Sequence, residues 1–87
     1  MPDLSIGLSG CTCAGARPVM DAVARLMAPL GVSIEFLVVS RDPEEAHPEP
    51  VEGCRVEKLK EASSALGDQL RAFRDASHST WLITLED

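Results

Sequence analysis

The chain has 87 residues, which allows one domain at most, and a domain this short buries a smaller fraction of its surface than a longer one. Hydrophobic residues make up 45% of the chain and aromatic residues only 3%, so its core must be mainly aliphatic. The formal net charge of −6 disfavours nucleic acid and anionic lipid surfaces as partners. No secretory leader and no apolar run near the roughly 18 residues of a membrane span is recognisable, so we expect a cytoplasmic protein without a membrane span.

The first half of the chain alternates strand and helix signals. Apolar and small side chains alternate over residues 4–8, which favours a short strand, and a loop of small residues is predicted at 9–15. A helix is predicted to begin near residues 16–18 and to end at Pro29 and Gly31. Its buried face should be the apolar stripe with spacing i, i+4, i+7 and i+11. That stripe consists of Val19, Val23, Leu26 and Leu30.

The next segment, after the first helix, has the clearest strand pattern of the chain. The nearly continuous apolar run at residues 32–39 is typical of a central parallel strand that is covered on both faces. Residues 40–53 hold three of the six prolines and five acidic residues, which predicts an acidic, proline-rich loop outside the core. A brief strand at 54–57, a helix at about 61–76 and a last strand at 80–85 follow. The expected buried stripe of the second helix is Ala62, Leu66, Leu70 and Phe73.

Strands that alternate with helices favour right-handed crossovers and a parallel sheet. We therefore predict that residues 1–87 form a single α/β domain. It should be a small Rossmann-like β-α-β-(β)-α-β unit with a mainly parallel sheet in strand order 3-2-1-4. Gly67 is expected to let the second helix approach a neighbour closely. Such sheets bind ligands beyond the carboxyl ends of their strands, where the 9–15 loop, the turn at 40–42 and the pair Glu86-Asp87 would converge.

Glu86 and Asp87 are the first candidates for a site, because they follow the last strand directly. Carboxylate oxygens suit Mg²⁺ or Mn²⁺, and Mg²⁺ commonly combines one or two protein carboxylates with the phosphates of a substrate. An acidic chain end that frays is the simpler interpretation of the same pair.

The last third of the chain resembles the approach to the metal-binding acidic motif of family-2 glycosyltransferases with the GT-A fold. That pattern has a small residue, a helix with a leucine–arginine pair, an alanine near the helix end, a polar turn and a hydrophobic strand that ends in acidic residues. The matching residues are Leu66, Gly67, Leu70, Arg71, Ala76, Trp81 and the pair Glu86-Asp87. Residues 4–10 and 16–40 are similar to the first strand with its nucleotide loop and to the first helix with the second strand.

The resemblance covers nearly all of this chain but only the amino-terminal part of a whole glycosyltransferase. It implies a domain that binds a nucleotide-diphosphate sugar of the UDP or GDP type with Mg²⁺ or Mn²⁺ and that is incomplete for sugar transfer by itself. No catalytic residue is implied. The residues implied for nucleotide-sugar binding are Leu8, Ser9, Ser40, Asp42, Arg71 and Glu86, with Glu86 and Asp87 as ligands of the metal.

Two other classes of function stay open. Cys11 and Cys13 precede the predicted helix start, where the helix dipole favours a reactive thiolate, so a thiol redox or metal-binding protein is one alternative. Small residues in a tight loop explain these cysteines more simply, and Cys54 lies far along the chain. The other alternative is a non-enzymatic interaction module that self-associates or binds a partner chain through an exposed sheet edge. His78 is expected to be a solvated turn residue.

Overall fold

The computed structural model describes residues 2–40, 51, 54–59 and 66–86. The elements along these residues are β1 (Leu4–Cys11), α1 (Cys13–Met27), β2 (Ile34–Ser40), β3 (Arg55–Leu59), α2 (Leu66–Ala76) and β4 (Trp81–Glu86), with a 3-10 helix at Ala28–Leu30 after α1. Each pair of neighbouring strands is parallel, and the strand order is β3-β2-β1-β4. The predicted small Rossmann-like α/β unit is therefore confirmed, together with its strand order.

The two helices cover opposite faces of the sheet. Successive residues of a strand point to opposite faces, so the contacts of β2 show which helix lies on which face. Ile6 of β1 and Phe36 of β2 pack with Met20 of α1. Leu37, the next residue of β2, packs with Phe73 of α2 on the other face. All seven residues of β2 are buried, as a central strand requires.

The helix α1 begins at Cys13, earlier than the predicted start at 16–18. Thr12 is its N-cap: the Oγ1 atom of Thr12 accepts a hydrogen bond of 3.0 Å from the backbone N–H of Gly15. Pro18 consequently lies inside the helix. Gly31 ends the 3-10 helix in the left-handed conformation, with φ of 68°.

The buried face of α1 differs from the predicted stripe. Cys13, Ala16 and Met20 are buried, and Val23, Ala24 and Met27 pack against them. Three of the four predicted stripe residues, Val19, Leu26 and Leu30, are exposed. The prediction assigned Cys13 to the loop and chose the stripe that starts at Val19, whereas the helix turns the face with Cys13, Ala16 and Met20 to the sheet.

The strand β1 runs through three residues that were predicted to be loop. The pairing of β1 with β2 shifts between Leu8 and Cys11, and Gly10 there has φ of 76°. A positive φ favours glycine, so this irregularity lets the strand continue to Cys11 before Thr12 starts the helix. β3 and β4 each begin one residue later than predicted, at Arg55 and Trp81.

Residues 40–53 were predicted to lie outside the core, and this prediction is wrong for two of them. Ser40 is the buried last residue of β2, and Val51 is buried in the cluster beneath α1. The backbone N–H of Cys54, the residue before β3, donates to the carbonyl of Val51 at 2.8 Å. Residues 41–50, 52 and 53 lie outside the described residues.

The helix α2 contacts the sheet through Phe73 and Ala76. Phe73 is buried as predicted, whereas Leu70 is exposed. The side chain of Leu66 is not among the described ones. Among the described residues, a Cβ atom on Gly67 would meet nothing within 4 Å, so the predicted close approach is not seen there. The predicted start near residue 61, with Ala62, lies outside the described residues. Neither described helix has the length and apolarity that crossing a membrane requires.

Candidate functional site

The carboxyl ends of β1, β2 and β4 lie side by side, and we call this side of the sheet the carboxyl edge. Ser9 of β1 is paired with Glu86 of β4, and Cys11 of β1 is paired with Ser40 of β2. The sequence-based prediction that Ser9, Ser40 and Glu86 converge at one edge therefore agrees with the strand register. The β1–β4 junction is also where the order of the strands reverses, and open α/β sheets bind ligands at such a point.

The residues predicted to bind the nucleotide sugar differ in accessibility. Leu8 is buried in the core beneath α1, so its side chain serves packing. Ser9 and Ser40 are buried as well. Arg71 on α2 is largely exposed, and its guanidinium lies 3.7 Å from the carboxylate of Asp68, three residues earlier.

Two of the predicted residues, Asp42 and Asp87, lie outside the described residues. Within residues 2–40, 51, 54–59 and 66–86, no group of three or more His, Cys, Asp or Glu side chains is arranged to hold a metal ion. The metal site predicted at Glu86 and Asp87 thus stays a prediction.

The structure describes the side chains of two cysteines, and both pack in or against the core. Cys13 is buried among the apolar residues beneath α1, and Cys54 packs against the same cluster. Burial raises the pKa of the Cys54 thiol, which disfavours its thiolate. Neither of these two cysteines forms a disulfide. The environment of both favours packing over redox chemistry.

The sequence-based prediction did not include a second polar cluster, which lies at the amino ends of β1 and β2. We call this end of the sheet the amino edge. The centre of the cluster is Glu35 of β2, which is completely buried and paired with Ser5 of β1. Oε1 of Glu35 accepts hydrogen bonds from Oγ of Ser5 at 3.0 Å and from the backbone N–H of His78 at 3.1 Å. Oε2 of Glu35 lies 2.7 Å from Nδ1 of the His78 ring.

Two serines complete this amino-edge cluster of Ser5, Glu35, Ser77, His78 and Ser79. The Oγ atom of Ser77 donates to Oγ of Ser5 at 2.7 Å, and Oγ of Ser79 lies 2.6 Å from the same atom. Because α2 ends at Ala76, residues 77–79 cross the amino ends of β1 and β2 on the way to β4. The buried carboxylate is thus held by a turn that is distant in sequence.

The cluster keeps Glu35 ionised. Burial raises the pKa of the Glu35 carboxyl group, but hydrogen bonds from the His78 side chain, the His78 backbone and Ser5, together with the charge of His78, outweigh burial and hold the pKa below its ordinary value of 4.5. An ionised carboxylate only accepts hydrogen bonds, so Nδ1 of His78 must carry the hydrogen of the 2.7 Å contact. In the neutral imidazole, Nε2 is then an acceptor.

His78 is an exposed residue of the turn between α2 and β4, as predicted, but the sequence did not predict its bonds to Glu35. Its backbone and one edge of its ring bind a buried carboxylate, although the side chain as a whole is 45% exposed. The sequence does contain a signal. Glu35 interrupts an apolar run predicted to be buried on both faces, and a buried carboxylate requires hydrogen-bond donors such as those of residues 77–79.

A cavity of about 460 Å³ opens beside the amino-edge cluster. We call it the amino-edge cavity, and it is lined by Pro2, Asp3, His78, Ser79, Thr80 and Trp81. His78 and Ser79 belong to both the cluster and the cavity, so the buried Glu35 charge is connected to the surface through the His78 ring.

Comparison with protein-family models, curated proteins and solved structures finds no match to this chain. Function must therefore be argued from the two edges of the sheet. The carboxyl edge has the position at which sheets of this class bind ligands, whereas the amino edge has a cavity and a carboxylate–imidazole pair.

Proposed function

We propose that this chain is a glycosyltransferase-like domain that binds a nucleotide-diphosphate sugar at its carboxyl edge. The supporting observation is the pairing of Ser9 with Glu86 at the carboxyl ends of β1 and β4, where the strand order reverses. The proposal concerns binding of the sugar donor, of the UDP or GDP type, and does not extend to sugar transfer. It includes a cytoplasmic location.

Arg71 is suited to binding a phosphate of the sugar donor, because its ion pair with Asp68 is weak. Its ion pair with Asp68 spans 3.7 Å, and the two side chains are 67% and 50% exposed. An exposed pair of this kind contributes less than about 1 kcal/mol, so a phosphate could recruit the guanidinium at little cost. A guanidinium also matches phosphate oxygens in a bidentate geometry.

A divalent cation, Mg²⁺ or Mn²⁺, is part of the proposal, with Glu86 and Asp87 as its protein ligands. The chain has a net charge of −6, which repels a pyrophosphate. Held by Glu86 and Asp87, the cation would supply the positive charge that offsets this repulsion.

Titration calorimetry with UDP and GDP, each with and without Mn²⁺, tests the proposal. We expect saturable binding that depends on Mn²⁺ and that Glu86→Ala or Asp87→Ala weakens by about tenfold or more. Asp75→Ala is the matched control, because it removes an exposed carboxylate from α2, where Asp75 lies 4.0 Å from Arg74. Absence of saturable binding at millimolar nucleotide, or equal weakening by the control, would reject the proposal.

A second candidate function, self-association, is favoured by the edge strand β4. Trp81, Ile83 and Leu85 form a row on one face of β4, and these side chains are 71%, 49% and 43% exposed. Residues 79–85 contain no charge that would discourage pairing with another strand. We propose a second copy of this chain as the occupant. Antiparallel pairing of two β4 strands centred on Ile83 would set each Trp81 opposite a Leu85.

Analytical ultracentrifugation tests this second candidate. We expect a concentration-dependent dimer that Ile83→Lys converts to a monomer. Leu26→Lys is the matched control, since Leu26 is an exposed leucine of α1 and should leave the dimer intact. A monomer at all concentrations of the unmodified chain would exclude self-association through β4.

A further inference from the structure

The amino-edge cavity combines hydrogen-bond acceptors with an exposed aromatic ring. None of its six lining residues is a lysine or an arginine, and one of them, Asp3, carries a carboxylate. Glu35 adds a second negative charge directly behind the His78 ring. An anionic ligand would meet both charges, so the electrostatics of the cavity favour a cation.

The acceptor at Nε2 of His78 follows from the amino-edge cluster. Since Nδ1 gives its hydrogen to the ionised Glu35, Nε2 of the neutral ring has a lone pair and no hydrogen. Within the described part of the chain, Nε2 makes no hydrogen bond, and His78 is one of the residues that line the cavity. Glu35 is thus a positioning residue that fixes which ring nitrogen faces a ligand.

Asp3 and Trp81 provide the other two contacts. The Oδ2 atom of Asp3 accepts a hydrogen bond of 3.0 Å from the backbone N–H of Ser33, which holds this carboxylate at the start of β1. Trp81 is 71% exposed, and the face of an indole ring attracts a cation. Pro2 adds an apolar surface to the same cavity.

We propose that the amino-edge cavity binds an organic cation, namely an alkylguanidinium or alkylammonium group such as the end of an arginine or lysine side chain. The cationic group binds the Asp3 carboxylate, Nε2 of His78 and the Trp81 ring, and the alkyl stem lies against Pro2. A volume of about 460 Å³ is sufficient for such a group with its stem. This site is on the side of the sheet opposite to the proposed nucleotide-sugar site and does not depend on it.

The experiment uses n-butylguanidinium as the probe and n-butylurea as a neutral control of nearly the same shape. Trp81 is the only tryptophan of the chain, so tryptophan fluorescence reports directly on the cavity. At pH 8 we expect a saturable change with n-butylguanidinium and an affinity for n-butylurea at least tenfold lower. Equal binding of the two compounds, or no saturation with either, would overturn the proposal.

A variant and its control isolate the contribution of Asp3. Asp3→Asn should weaken cation binding about twofold to fivefold, the range for one exposed ion pair. Asp21→Asn is its control, because Asp21 lies on α1 and pairs with Arg17. Unchanged affinity in Asp3→Asn, or equal weakening by the control, contradicts the role of the Asp3 carboxylate.

The tautomer can be measured without any variant. Nitrogen-15 chemical shifts of the His78 ring at pH 8 should show the hydrogen on Nδ1 and a lone pair on Nε2. A hydrogen on Nε2 would remove the acceptor from the cavity and overturn the proposal, whatever the fluorescence titration gives.

Discussion

A Cβ atom added to Gly7 would lie 2.8 Å from Cγ of Phe73. The ring of Phe73 therefore rests on the backbone of β1, in space that any other residue at position 7 would fill. Phe73 is 1% exposed, so its ring has little freedom to move aside. This contact fixes the distance between α2 and the centre of the sheet.

Gly7→Ala should lower the free energy of unfolding by about 1–3 kcal/mol, because the ring or the strand must shift to admit the methyl group. Urea denaturation of the variant and the unmodified chain measures the difference. Gly67→Ala is the matched control: a Cβ there meets no described residue within 4 Å, and alanine suits the exposed start of α2. It should be neutral or stabilising by up to about 1 kcal/mol. Similar destabilisation by both variants would contradict the role of the Phe73 contact.

Thr12→Ala should lower the free energy of unfolding by about 1 kcal/mol, since it removes the side-chain acceptor for the backbone N–H of Gly15 at the start of α1. Thr12→Ser retains a hydroxyl group and should restore most of the stability. Thermal and urea unfolding followed by circular dichroism measure both variants. If serine is as destabilising as alanine, the cap does not account for the effect.

Glu35→Gln should lower the free energy of unfolding by about 1–3 kcal/mol. The amide has the size of the carboxylate, but its NH2 group faces hydrogen-bond donors of Ser5 and His78 instead of accepting from them. Urea unfolding measures the loss. Glu57→Gln on β3, a carboxylate 3.7 Å from Arg55, is the comparison and should cost less than about 1 kcal/mol. Equal losses of unfolding free energy in the two variants would mean that the amino-edge cluster stabilises the fold no more than an exposed ion pair does.

Stability should also fall in acid through Glu35. Its folded-state pKa is held below the ordinary 4.5, chiefly by His78 and Ser5 against the effect of burial, so the unfolded chain takes up this proton first. The contribution of Glu35 is therefore complete above pH 4.5 and is lost as the pH falls through the lower folded-state pKa. The difference in unfolding free energy between the unmodified chain and Glu35→Gln should be larger at neutral pH than in acid. A difference that does not change with pH would contradict this mechanism.

The fold could be predicted because its strongest signals are local. A strand that is buried on both faces must be apolar nearly throughout, and β2 is, so its central place followed from residues 32–39. The prediction of the buried face of α1 failed for a physical reason. Two apolar stripes overlap on this helix, and the one against the sheet contains Ala16 and Met20, whereas the prediction favoured the branched residues Val19 and Leu26.

The two edges of the sheet were unequally predictable. Strand order alone brings Ser9, Ser40 and Glu86 to one side, so their convergence followed from the alternation of strands and helices. The contact between Glu35 and His78 joins residues 43 apart, and no spacing rule connects them. A glutamate within a buried strand indicates that hydrogen-bond donors must exist, but only the folded chain shows that a turn after α2 supplies them.

The attachment of β4 has a consequence for how the sheet opens. In the described sheet β4 pairs with β1 alone, so it is a natural place for local unfolding. At its amino end, however, Ser79 is bonded to Ser5, and separating the strands there would disturb the environment of a buried carboxylate. Fraying should therefore start at Glu86, and amide hydrogen exchange should be slower in the first half of β4 than in the second. The bonds of Ser77 and Ser79 to Ser5 thus hold the amino end of the β1–β4 pair, so local unfolding of β4 proceeds from its carboxyl end.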